Sequence, residues 1–201
     1  VIQTRIRLLA PFAPFISEEI WELMGNRETI STAVWPKLEN SKIDLEAEEG
    51  EELIKNLLED TLKIVRVTNI KPRKVTYYTS SEWKWKVYLE MLQSVDQDSL
   101  DMRLLMSSIM QKEEMKRRAK QVSSFTKKLI EEVRTVPLDM RKRRLKIKIL
   151  NESGILKTAT DFLEKELGAE VSIYNETDSY KYDPRDKAVY SKPYRPAIFI
   201  E

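Results

Sequence analysis

Lys116, Arg117, Arg118 and Lys120 form one tight basic cluster, and Arg141, Lys142, Arg143, Arg144, Lys146 and Lys148 form a second. Between positions 112 and 148 the chain carries 14 lysines and arginines against five acids, a local net charge of +9. Cations at this density suit phosphates: each neutralised phosphate releases a condensed counterion, and an arginine fork matches two phosphate oxygens. The first cluster is read as the start of a helix over 113–133, where the helix dipole disfavours cations, so helix stability does not account for it. The second is read as a run leading into a half-exposed strand over 145–150 (LKIKIL), which presents Lys146 and Lys148 on one side. Aromatic rings could add base stacking, and Tyr174, Tyr180, Tyr182, Tyr190 and Tyr194 lie in or beside a late polar loop. The same residues also fit a blander picture, in which the cations are a solvated surface met by acids from elsewhere and the tyrosines are packing.

Other chemistries are excluded by residue type. The 201 residues include no histidine and no cysteine, which removes a Cys/His zinc site, a thiol nucleophile, a Ser-His-Asp triad and an imidazole base. Gly25, Gly50, Gly154 and Gly168 are isolated from one another, so no glycine-rich phosphate loop can form. The carboxylates fall at helix starts or in i, i+4 pairs, such as Glu51 with Lys55 and Glu59 with Lys63, the pattern of a solvated face. Neither a catalytic residue nor a metal ligand is therefore expected. Lack of cysteine makes a cytoplasmic location the default, and no run approaches the ~18 apolar residues of a membrane span.

The elements that must position the basic clusters follow from composition and period. Charged residues are 34% of the chain and apolar residues 41%, enough for a packed core and close to the bias of thermophile proteins. The formal net charge of +2 hides a polarised chain, with 8 basic and 13 acidic residues in 1–70 and 27 and 20 in 71–201. Two domains are expected, 1–70 and 71–201. Ile2, Ile6 and Leu9 begin a helical stripe at the very first residue with no cap and no initiator Met, as in a piece of a longer chain. Pro11 and Pro14 break that helix. Ile16, Ile20, Leu23 and Met24 mark a second one, ended by Gly25 and Asn26, and Leu53, Leu57, Ile64 and Thr68 mark a long third one reaching about Ile70. Three helices in ~70 residues bury too little for a comfortable domain and read as the end of a bundle.

Beyond the short linker Lys71, Pro72 and Arg73, strands are expected over 74–79, 145–150, 171–174 and 196–201, and helices from Ser81, over 99–110, over 113–133 and over 153–167. Leu100, Leu104, Leu105 and Ile109 should point inward in the second of these helices. On the first, one of Trp83 and Trp85 should face the core and the other should not. The fold class is α+β: a partial all-α bundle followed by a small domain with a mixed sheet covered by helices.

The stretch RLLAPFAPFISEEIW over 7–21 resembles a signature of class I aminoacyl-tRNA synthetases, in the helical anticodon-binding domain of the leucyl, isoleucyl, valyl and methionyl group. TISTAVWP over 29–36 resembles its partner motif. Many relatives carry His where this chain has Phe15 and Ser31. Pro11 and Pro14 would fix a helix-to-helix bend, with Phe12, Trp21 and Trp35 as packing anchors. The Cys-free α+β remainder, ending in Arg195, Pro196, Ala197, Ile198, Phe199, Ile200 and Glu201, is similar to the C-terminal domain of archaeal and eukaryotic-type leucyl-tRNA synthetases, and the resemblance covers essentially the whole chain.

The resemblance implies a cytoplasmic, monomeric parent enzyme that activates leucine with ATP and Mg²⁺ and attaches it to tRNA-Leu. Its catalytic and editing domains would lie outside these residues, so the fragment itself would bind no cofactor and would position tRNA. The C-terminal domain would meet the long variable arm of the tRNA, with Ile198, Ile200 and Glu201 at the matching tail. A tail ending in carboxylates suits base-edge donors rather than phosphates, with Ile200 on an exposed base. Equally, Ile198 and Ile200 could face the core. The basic clusters would hold phosphates. Two other readings stay open: a module that packs on another domain or subunit, and the corresponding region of an isoleucyl or valyl enzyme.

Overall fold

The computed structural model describes residues 1–95 and 101–201. They divide into two units, Val1–Asp44 and Leu45–Glu201. In the first, α1 (Ile2–Leu9) and α2 (Pro14–Leu23) are joined by a tight turn, and Pro14 sits at the first position of α2, where its missing N–H costs no hydrogen bond. Gly25, at φ 84, takes the left-handed position after α2 that the sequence assigns to it.

The small core of this unit is Ile6, Trp21 and Ile30. Polar contacts join the two halves of the tandem motif. The Glu18 carboxylate accepts the Ile30 N–H at 3.0 Å, Trp21 Nε1 donates to the Glu28 carbonyl at 3.0 Å, and Arg7 Nη1 donates to the Val34 carbonyl at 2.7 Å. The Arg7 guanidinium also lies 5.7 Å from the centre of the Trp21 ring. Of the three aromatic residues expected as anchors, only Trp21 is buried. Phe12 projects from the α1–α2 turn and Trp35 from the segment after the 3-10 turn Ile30–Thr32, and both are exposed. Ile16, Leu23 and Met24 are exposed too, because α2 buries the face through Ser17 and Trp21.

The second unit opens with α3 (Leu45–Thr68), whose acidic first turn complements the helix dipole. The expected boundary near Ile70 therefore differs from the observed division at Asp44. Leu53 and Leu57 of α3 are buried in the main core, the Thr61 hydroxyl bonds the Tyr77 hydroxyl at 2.9 Å, and Gly50 lets α3 approach the Ile155 side chain.

β1 (Lys74–Thr79) is the central strand of a three-stranded sheet. It pairs in parallel with β2 (Glu170–Asn175), Val75 opposite Val171, and antiparallel with β3 (Ala197–Ile200), Val75 opposite Ile200. Period-2 alternation gives the sheet two buried faces. Val75, Tyr77, Val171, Ile198 and Ile200 meet the helices, whereas Tyr78, Phe199 and Tyr174 meet Ala188 of the late loop.

Between β1 and β2 run α4 (Glu82–Val95), α5 (Met102–Ile109), α6 (Glu113–Arg117), α7 (Ala119–Thr135), α8 (Leu138–Ile147), α9 (Glu152–Thr158) and α10 (Thr160–Leu167). The α+β class and the mixed sheet stand as expected, with corrections of detail. The segment 145–150 is not a strand: Leu145, Lys146 and Ile147 are the last turn of α8, which stops where Lys148 takes φ 68. The helix expected over 113–133 breaks at Arg118, and that over 153–167 breaks at Ala159. Trp83 and Trp85 are both buried, because α4 is covered on nearly every side: Trp83 meets Phe125 of α7 and Trp85 meets Tyr194 of the late loop. Leu105 and Ile109 point inward as expected, Leu104 is exposed, and Leu100 lies outside the described residues.

Candidate nucleic-acid interface

The α6–α7 break arranges the first basic cluster. Lys116 and Arg117 close α6, so the dipole disfavours neither of them there; Arg118 sits at the break and Lys120 in the first turn of α7. The dipole argument made from a continuous helix therefore applies only to the start of α7. All four side chains are exposed. Lys116 Nζ pairs with Glu113 at 2.5 Å, while Arg117, Arg118 and Lys120 make no ion pair among the described residues.

The second cluster divides in two. Arg143 Nη1 lies 3.5 Å from carboxylate oxygens of both Glu48 and Glu49 in α3. Arg144 Nε donates to Glu49 at 3.2 Å, Nη1 donates to the Tyr88 hydroxyl at 2.8 Å, and the guanidinium stacks 3.9 Å from the centre of the Tyr194 ring. Glu49 is itself only 1% exposed. Both arginines thus tie α8 to α3, Arg144 from a mostly buried position and Arg143 with about a third of its side chain open to solvent. Arg141 is half-buried, and Lys142, Lys146 and Lys148 face solvent.

The tail is fixed from both sides. Ile198 and Ile200 are half-buried against the main core, and Phe199 is buried on the opposite face of the sheet. The main-chain oxygen of Glu201 accepts the N–H groups of Arg73 and Lys74 at 2.7 and 2.9 Å. Its exposed side chain accepts the Tyr182 hydroxyl at 3.0 Å, which raises the phenol above its usual range.

Sequence reasoning treated the first cluster and the late loop separately, and the fold brings them together. A groove of about 380 Å³ between α7 and the 3-10 turn Ala188–Tyr190 is lined by Arg118 and Lys120 on one side and Tyr190 and Lys192 on the other. Lys128, which sequence reasoning did not single out, lines it as well. Gln121, Ser124, Phe125 and Lys128 recur at i, i+3, i+4 and i+7, so the helical period of 3.6 could have shown that face.

Lys84 secures the turn from below. It is 2% exposed, pairs with Glu176 at 2.8 Å and donates to the Val189 and Ser191 carbonyls at 2.8 Å each. Burial holds its ammonium below the usual lysine value, against the opposing pull of Glu176. Glu152, 3% exposed, ties the late loop to the sheet, accepting the Tyr194 N–H at 2.7 Å and the Ser80 N–H at 3.2 Å. Burial pushes its carboxyl up to about 8, against the opposing pull of these two N–H groups.

The exposed basic face of the second unit, with its aromatic-edged groove, makes a surface for a polyanion. Among the described residues, no helix is long and apolar enough to cross a membrane. Residues 1–78 match the family described as anticodon-binding domain of tRNA ligase. Over all 201 residues the chain is 37% identical to a leucine–tRNA ligase of Methanosarcina barkeri and 38% identical to that of Methanosarcina acetivorans, covering 21% of each. It is also 36% identical over 197 residues, 98% of this chain, to a leucine–tRNA ligase of Pyrococcus abyssi, covering 18% of it. The chain thus spans about a fifth of the length of the curated relatives it matches. Residues 1–78 therefore fall in the anticodon-binding domain family of tRNA ligases, and the chain is similar along its entire length to about a fifth of each of these archaeal leucine–tRNA ligases.

Proposed function

We propose that this chain is a tRNA-binding and tRNA-positioning part of a leucyl-tRNA synthetase. The parent enzyme activates leucine with ATP and Mg²⁺ in domains outside these residues and works in the cytoplasm as a monomer. The unit Val1–Asp44 belongs to the end of the anticodon-binding bundle, and its exposed Phe12, Phe15 and Leu23 form the face that the rest of that bundle covers. The α+β unit meets the long variable arm of tRNA-Leu. Phosphates are held by Lys116, Arg117, Arg118 and Lys120, with Lys142, Lys146 and Lys148 as a second group, and Glu201 reads base edges at the tail.

The observation that carries the reading is the exposure of Arg117, Arg118 and Lys120 with no ion pair among the described residues. A merely solvated surface in so acid-rich a chain would pair more of them. Binding of the chain to tRNA bearing the long variable arm, and to the same tRNA without it, tests the reading. Tighter binding to the arm-bearing tRNA is expected, with an affinity that falls steeply with salt. Equal, salt-insensitive binding to both would instead favour a module that packs on protein.

A further inference from the structure

Two grooves of the second unit meet at one exposed ring. The first is the groove between α7 and the late turn, with Phe125 in its lining. The second, about 510 Å³, lies between the C-terminal half of α3 and β3, with Ile64 and Ile198 in its apolar lining and Lys187 and Arg195 at its edge. Tyr190 and Lys192 line both. Tyr190 is 62% exposed, and the ammonium groups of Lys128 and Lys187 each lie 6.0 Å from the centre of its ring.

The ring adds little to the core, yet the backbone that carries it is held firmly. Asp183 accepts the N–H groups of Lys187 and Ala188 at 2.7 and 3.0 Å, and Lys84 grips the carbonyls of Val189 and Ser191 on either side of Tyr190. A ring that is open to solvent and carried on a backbone fixed in advance loses less entropy when something stacks on it. Of the acids nearest the two grooves, Glu176 is engaged by Lys84, Glu132 by Lys192, and Asp60 of the second groove by Arg195 at 3.5 Å. Arg118, Lys120, Lys128 and Lys187 make no ion pair among the described residues.

The geometry points to Tyr190 as a stacking platform for one unpaired nucleotide of an RNA strand that passes from the first groove into the second. Lys120 and Lys128 hold the phosphates on one side of the ring and Lys187 those on the other. The inference rests on the tRNA-binding reading and names its ligand more closely. A duplex keeps its bases stacked inside and offers no free base face to the ring, whereas an unpaired base offers one whatever its identity. The track selects single-strandedness rather than sequence. An acidic peptide would engage the lysines and leave the ring unused.

The test measures binding of a single-stranded RNA of about six nucleotides, and of arm-bearing tRNA, to the wild-type chain and to Tyr190→Ala, Tyr190→Phe and Lys128→Gln. Tyr190→Ala should weaken oligonucleotide binding about tenfold or more with an unchanged salt slope, and Tyr190→Phe should bind as wild type. Lys128→Gln should lower the slope by about 0.7. If tRNA binds and Tyr190→Ala affects neither RNA, the platform is overturned while the tRNA-binding reading stands. If the oligonucleotide alone binds and responds to Tyr190→Ala, the platform stands and that reading falls. If neither RNA binds, both are overturned.

Discussion

Replacing Glu152 with Gln should flatten the pH dependence of stability in this fold. Glu152 is buried with no cation paired to it among the described residues, and its carboxyl is pushed up to about 8 against an ordinary value of 4.5. Between those values the folded protein holds a proton that the unfolded chain has released, so stability is full below about pH 4.5 and is lost as pH rises toward about 8. One proton corresponds to a slope of about 1.4 kcal/mol per pH unit inside the window, hence roughly 2–3 kcal/mol between about pH 5.5 and pH 7.5. A glutamine cannot ionise, so this slope should vanish. Its amide nitrogen also cannot accept, leaving either the Tyr194 or the Ser80 N–H unpaired, at a pH-independent cost of about 1–2 kcal/mol. Urea unfolding followed by tryptophan fluorescence and circular dichroism across this range reads both effects. A wild-type stability that stays level or rises through the window, or a Glu152→Gln variant that keeps the wild-type slope, would refute the reasoning.

Two further substitutions test the buried charges. Lys84→Met strips Glu176 of its partner and releases the carbonyls of Val189 and Ser191, so it should cost about 3 kcal/mol in urea unfolding and speed hydrogen exchange in the late turn. Glu49→Ala leaves Arg144 packed on Tyr194 without its carboxylate, and a loss of about 3 kcal/mol is expected; a loss well under 1 kcal/mol would mean that solvent compensates the arginine.

Much of the frame was legible in the chain because the signals were local. Lys74–Thr79 holds five β-favouring residues in six, and Gly168 adopts φ 63 at the C-cap where the helix over 153–167 is expected to stop. LKIKIL misled because period-2 alternation over a few residues also fits one turn of helix. Pro137 starts α8 ahead of it, and only the left-handed Lys148 marks the end. The pairing of Arg143 and Arg144 was not legible because their partners, Glu48 and Glu49, lie about 95 residues away, beyond any pattern of spacing. The groove was half visible: its basic wall stood out as a charge run, while its aromatic edge depended on how Lys84 folds the late loop back over α4. The two tryptophans of α4 show the same limit, since the number of elements that cover a helix is a tertiary fact.

The proposed function rests on the basic face of the α+β unit binding the phosphates of tRNA. The salt dependence of arm-bearing tRNA affinity tests it most directly, measured for the wild-type chain and for the triple variant Arg117→Gln, Arg118→Gln, Lys120→Gln. These side chains are exposed and make no ion pair among the described residues, so the variant should keep its fold. The logarithmic salt slope should fall by about 0.9 for each phosphate contact removed, and affinity at low salt should drop with it. A variant with the wild-type slope and affinity would place the RNA elsewhere and contradict the account.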